Sequence, residues 1–142
     1  MAKLEYTWSY ISKSLDNFKA ALLGYRTYKA FIKQVENQSP TVDVLENSLG
    51  IQITYEYVST GYCIGTINKP LFNDATTGIY GENAEVTITP SSGFNGNIPA
   101  TMGAQPIFFN VIQLTTYSNG GPSDGFIGVT FSSVLEIKIY NK

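Results

Sequence analysis

Few side chains in this sequence are suited to acid–base or nucleophilic chemistry. None of the 142 residues is a histidine, which removes the commonest general base and the commonest transition-metal ligand. A single cysteine, Cys63, rules out an intrachain disulfide and any thiolate cluster. Ser-His-Asp and Cys-His arrangements are therefore impossible. Carboxylates are what remains. Two of them can share general acid–base work when they converge on one substrate. Glu82 and Glu85 are close in sequence, but a separation of three across a loop entering a strand does not make them converge. Asp74 and Asp124 lie in polar turns, where aspartate serves as a backbone acceptor, and neither belongs to an Asp-rich calcium loop. The expectation is a protein without catalytic residues, metal or cofactor. Cys63, between Tyr62 and Ile64, reads as a small apolar filler in a strand. Asn37-Gln38-Ser39 fits the glycosylation acceptor pattern. The N-terminus lacks the apolar run of a secretion signal, so that match is read as chance.

Tyrosine offers a different kind of chemistry. The ten tyrosines could stack on sugar rings, and Tyr55, Tyr57 and Tyr62 are the candidate ligand-facing residues. The plainer alternative is that these three fill a half-buried sheet face, where aromatic cross-strand pairs contribute roughly 0.2–1 kcal/mol each.

The elements that would carry these residues are mostly strands. Ile51, Ile53, Tyr55 and Tyr57 alternate with Gln52, Thr54 and Glu56, a period of two. Ser59-Thr60-Gly61 then turns the chain into Tyr62, Ile64 and Thr66. Further strands are expected at Glu85–Thr89, over Ile107–Tyr117, near Phe126–Phe131 and at Val134–Tyr140, where Leu135, Ile137 and Ile139 face inward. Turn-rich text separates them, above all residues 91–106 and 118–125. Before Gln38-Ser39-Pro40 the pattern differs. Leu15, Phe18, Leu22 and Tyr25 recur at helical spacing. This predicts a helix within 10–26, most clearly over 13–24, with Gly24 weakening it. Leu4, Tyr6, Trp8 and Tyr10 alternate with Glu5, Thr7 and Ser9 and read as a short strand. Tyr28–Val35 fits a helix or a strand.

Composition sets the class. Apolar residues make up 43% and aromatics 13%, enough for one domain with its own core. Charged residues are only 14%, well below the usual quarter or so. Nine Lys and Arg against eleven Asp and Glu give net −2, with no basic excess for nucleic acid. Residues 1–36 hold six cations and three anions, and residues 37–142 three and eight. The result is a mildly basic arm before an acidic body. Ala20-Ala21-Leu22-Leu23 is too short an apolar run to cross a membrane, so a soluble protein made in a cytoplasm is expected.

One segment carries a resemblance. Tyr28-Lys29-Ala30-Phe31, then Val42-Asp43-Val44-Leu45-Glu46-Asn47-Ser48-Leu49-Gly50, then Thr60-Gly61-Tyr62, and finally Leu135-Glu136-Ile137-Lys138-Ile139-Tyr140-Asn141 resemble a module of small virion-associated, fibre-like proteins of phages and prophages of Bacteroidota. The likeness covers roughly 28–67 and 134–141, and the middle, 68–125, departs from it. It marks a structural module and no active site. It implies that Tyr28–Val35 is a strand, that Leu45 and Leu49 pin a linker to the core, and that Gly50 supplies the bend before the hairpin.

Together these readings predict a mainly β protein. An antiparallel β-sandwich or jelly-roll-like body over 26–142 would follow an N-terminal arm or helix over 1–25. The expected role is non-enzymatic: a virion structural protein, as a capsid-decoration, head-fibre or tail-fibre component, located in the virion after synthesis in the host cytoplasm. Its expected partners are other virion proteins and copies of itself, a trimer first, through Tyr6, Trp8, Tyr10, Leu15, Phe18 and Leu22. Neither nucleic acid nor membrane is expected as a partner. The alternative is a carbohydrate-binding module reading a host-surface glycan.

Overall fold

In a computed structural model, residues 2–34, 37–73, 83–89, 101–118, 121–122 and 133–141 are described. Among these described residues one helix, α1 (Ala2–Leu23), precedes nine strands. They are β1 (Tyr25–Lys33), β2 (Thr41–Asn47), β3 (Ile53–Ser59), β4 (Tyr62–Ile67), β5 (Ala84–Thr89), β6 (Thr101–Phe108), β7 (Val111–Ser118), β8 (Gly121–Pro122) and β9 (Ser133–Tyr140). The predicted mainly β sandwich with a short N-terminal helix is what the chain forms.

The strands make two antiparallel sheets. One has the order β2-β1-β9-β5, the other β3-β4-β7-β6 with β8 added beside β7. Their facing sides meet in one core. Tyr28, Ala30, Ile32, Leu135 and Ile137 come from the first sheet, and Cys63, Ile67, Ile112 and Leu114 from the second. Period-two alternation sorts the side chains. In β9, buried Ser133, Leu135 and Ile137 alternate with half-buried Val134, Glu136 and Lys138. Ile139 packs half-buried against the same core. Cys63 is 1% exposed and occupies the filler position expected of it.

The Asn47–Ile51 segment carries the chain from the first sheet to the second. Asn47 clamps it, its side chain accepting from the Ile51 N–H at 3.1 Å and donating to the Ile51 carbonyl at 2.8 Å. Ser48 ties it to β1, its Oγ accepting from the Thr27 N–H at 2.9 Å. Gly50 takes φ +63°, the left-handed bend that a side chain would strain. Leu49 is buried here, as expected. Leu45 is not: it is half exposed and lies within β2. Lys29 pairs with Glu46 but Ala30 with Val44, so Leu45 is the extra residue of a bulge and turns away from the core.

Two further boundaries differ from the sequence reading. Ile107–Tyr117 is not a single strand. Phe109 and Asn110 fold it into a β6–β7 hairpin, with Asn110 accepting from the Ile67 N–H and donating to the Ile67 carbonyl. Part of the turn-rich 91–106 segment, from Thr101, is β6 itself. Pro106 is tolerated there because β6 is an edge strand and a bulge follows. The expected strand near Phe126–Phe131 falls outside the described residues.

Candidate functional site

The helix is longer than its expected span and includes the residues read as an alternating strand. Leu4, Tyr6, Trp8 and Tyr10 are all within α1. No proline or glycine interrupts Ala2–Leu23, so nothing stops the helix from running back past Trp8. Gly24 does not weaken its interior; it ends it. It stands just past the last turn at φ +74°, its N–H bonded to the Ala20 carbonyl at 2.9 Å, a glycine C-terminal stop.

The helix is tied to the body by its last two turns. Lys19 Nζ meets Glu46 Oε1 at 2.7 Å, and Arg26 donates to Asn17 Oδ1 at 2.8 Å. Asn141 donates its side-chain amide to the Ala20 carbonyl and its N–H to the Gly24 carbonyl. The Glu46 carboxylate, by hydrogen bond and charge, holds the Lys19 ammonium above its usual pKa. Ala20 is buried, at 4% exposed. The other described side chains from Trp8 to Leu23 are exposed.

Those exposed side chains are large and apolar. Trp8 is 73% exposed, Leu15 61%, Phe18 64% and Leu22 72%. Ile11, absent from the expected contact set, lies among them at 42%. Its signal was in the sequence: Trp8, Ile11, Leu15, Phe18 and Leu22 are spaced three, four, three and four apart. Tyr10 is exposed too but falls off that face. Tyr6 is in the helix, and its side chain lies outside the described residues.

The candidate tyrosines do not gather on one surface. Tyr57 pairs with Cys63 and Tyr55 with Gly65, which turns both half-buried rings toward the opposite sheet. Tyr62 precedes Cys63 and so projects from the other side of β4. The Tyr55 hydroxyl is buried without a well-formed hydrogen bond. Burial, and then the neighbouring Tyr28 phenol, push its pKa far above the ordinary phenol range. Beside these rings a cleft of about 520 Å³ opens between edge strands β2 and β3, lined by Tyr28, Val42, Val44, Asn47, Ile51 and Ile53 among others.

The carboxylates are accounted for in part. Glu85 accepts from the Tyr140 hydroxyl at 2.7 Å. Beside it, the Tyr140 ring meets Tyr25 edge-on at 5.8 Å, and Lys138 Nζ stands 5.2 Å from the Tyr25 ring centre. This is a surface cluster across β1, β9 and β5. Asp74, Glu82 and Asp124 fall outside the described residues. Among the described residues no three His, Cys, Asp or Glu side chains gather as metal ligands. No described helix is long and apolar enough to cross a membrane.

Compared with known proteins, the chain matches no family model, no curated protein and no solved structure.

Proposed function

We propose that the chain is a structural part of a phage particle, a capsid-decoration, head-fibre or tail-fibre component, whose β body is held in place through α1. One observation carries this reading: the apolar side chains of α1 stand in solvent beside a sandwich whose two sheets share a core of their own. Trp8, Leu15, Phe18 and Leu22 form an exposed patch of the kind that marks an interaction surface. Covering each fully is worth roughly 1.5–3 kcal/mol before entropy costs. The pieces around the Asn47–Ile51 crossover support the particle assignment through their resemblance to virion-associated proteins. In this reading the neighbours of α1 are virion proteins, and the location is the virion.

Deleting residues 2–23 tests it. The expected protein keeps a strand-dominated circular dichroism spectrum and no longer co-purifies with particles. A deleted form that still enters particles at the full level would remove α1 from the assembly contact.

A further inference from the structure

The exposed face of α1 has a period that identifies its occupant. Trp8, Ile11, Leu15, Phe18 and Leu22 repeat at three and four residues, and the same spacing reaches back in sequence to Leu4. That is a repeat of 3.5, the heptad seam of a coiled coil, narrower than the stripe a helix turns toward a sheet. In heptad terms Trp8, Leu15 and Leu22 are the a residues, and Ile11 and Phe18 the d residues.

We propose that three copies of this chain associate through α1 as a parallel, in-register coiled coil. The inference rests on α1 being the assembly contact and names its partner: the same helix of further copies. The seam is free in each chain, its five side chains between 42% and 73% exposed. It also points away from the chain's own body. Ala20, the helix residue buried against the sandwich, lies roughly 160° round the axis from the seam at 3.6 residues per turn. Three seams therefore close on one another with the bodies outside.

The flanks of the seam fit self-association. Ser12 and Lys19 border one side, Ser14 and Ala21 the other. Lys19, the one charge among these, is held by Glu46 of its own body, so parallel copies bring no like charges together across the seam. The small flanks Ser12, Ser14 and Ala21 also leave room for more than two strands. Leucine at a with isoleucine at d shifts preference from two strands to three or four, and Leu15 and Ile11 are such a pair. Three identical copies in a closed ring are related by rotation about one axis, so their helices run the same way. Aromatics supply most of the area at such a contact, about 150–250 Å² each when buried, and Trp8 and Phe18 are the two largest side chains of the seam.

Light scattering on the full-length protein at micromolar concentration tests this, together with two variants. The expected mass is three times that of the chain. Leu15→Asp is expected to lower it threefold, to the single chain. The emission of Trp8, the sole tryptophan, then moves to longer wavelength, while the strand signal of the body is unchanged. Leu15→Cys is expected to form disulfide-linked pairs on oxidation, because a residues of parallel copies face each other, whereas Ser9→Cys, off the seam, does not. This second variant keeps the test intact if Leu15→Asp fails to fold. A native mass of one, two or four chains, or no crosslink through Leu15→Cys, overturns the proposal. A single-chain mass in a protein that still enters particles only when α1 is present would overturn self-pairing alone and leave α1 as an assembly contact with another protein.

Discussion

Leu15 and Leu135 are the same residue in opposite circumstances. Leu135 lies between the sheets with no exposure, while Leu15 stands on α1 at 61% exposed. The strands cover much of their apolar surface within the chain, since residues of both sheets share one core. The helix does not, because its own period turns the seam away from the side on which Ala20 is buried. In the proposed assembly this exposed apolar row is the part of the chain that another molecule covers.

The sharpest way to break this contrast is in the core. Leu135 sits between Ala30 and Ile88 in the register of its sheet, with the second sheet packed above it. Leu135→Ala removes buried methyl groups that neither neighbour can replace and leaves a cavity. The expected loss is about 2–5 kcal/mol, read by urea unfolding followed through the strand signal. A loss under about 1 kcal/mol would mean that the sheets are not packed as a single core.

Overfilling the same core is expected to cost less. A Cβ on Gly65 would stand 2.9 Å from Ile53 Cγ2 and 3.0 Å from Ile112 Cγ1. Both are side-chain atoms, so the neighbours must shift but the backbone need not. Gly65→Ala is expected to destabilise by about 1–3 kcal/mol in the same unfolding measurement. An unchanged midpoint would show that the β3 edge yields freely.

At the joint between helix and body the expected effect is smaller again. Gly24 has open space around its missing Cβ but a φ of +74°, so the penalty of Gly24→Ala is conformational alone. It is expected to be about 1–2 kcal/mol. It should appear as fraying of α1 near Leu23, read by amide hydrogen exchange. Uniform loosening of the sheets instead would show that the joint belongs to the core.

Much of this architecture was legible in the sequence because strands announce themselves locally. The alternation in β9 gave its extent to within a residue and its inward face, while that in β3 gave its sides but placed the strand two residues early, at Ile51–Tyr57 instead of Ile53–Ser59. The crossover was legible through Leu49 and Gly50, whose burial and bend follow from residue type. What was missed depends on partners that a single stretch does not name. Leu45 is apolar, yet a bulge set by the pairing of β1 with β2 turns it outward. Tyr62 is in the same hairpin as Tyr57, yet Tyr57 pairs with Cys63, so Tyr62, one residue before Cys63, falls on the other face. On the helix, alternation from Leu4 to Tyr10 competed with the 3.5 repeat. The repeat prevailed because it continues unbroken through Leu22 while the alternation stops after Tyr10.

The smallest expected effect returns to Leu15. Leu15→Ala removes the same atoms as Leu135→Ala, but from a side chain already in solvent. Within one chain there is no cavity to leave and little transfer energy to lose, and alanine is the better helix former by a few tenths of a kcal/mol. The body's unfolding midpoint, followed through its strand signal at a concentration low enough to hold single chains, is expected to move by no more than about 0.5 kcal/mol. Trp8 makes the comparison clean, because the sole tryptophan reports the arm while the strand signal reports the body. A loss of 2 kcal/mol or more from Leu15→Ala in that dilute protein would place the seam on its own sandwich. Leu15 and Leu135 would then belong to a single core.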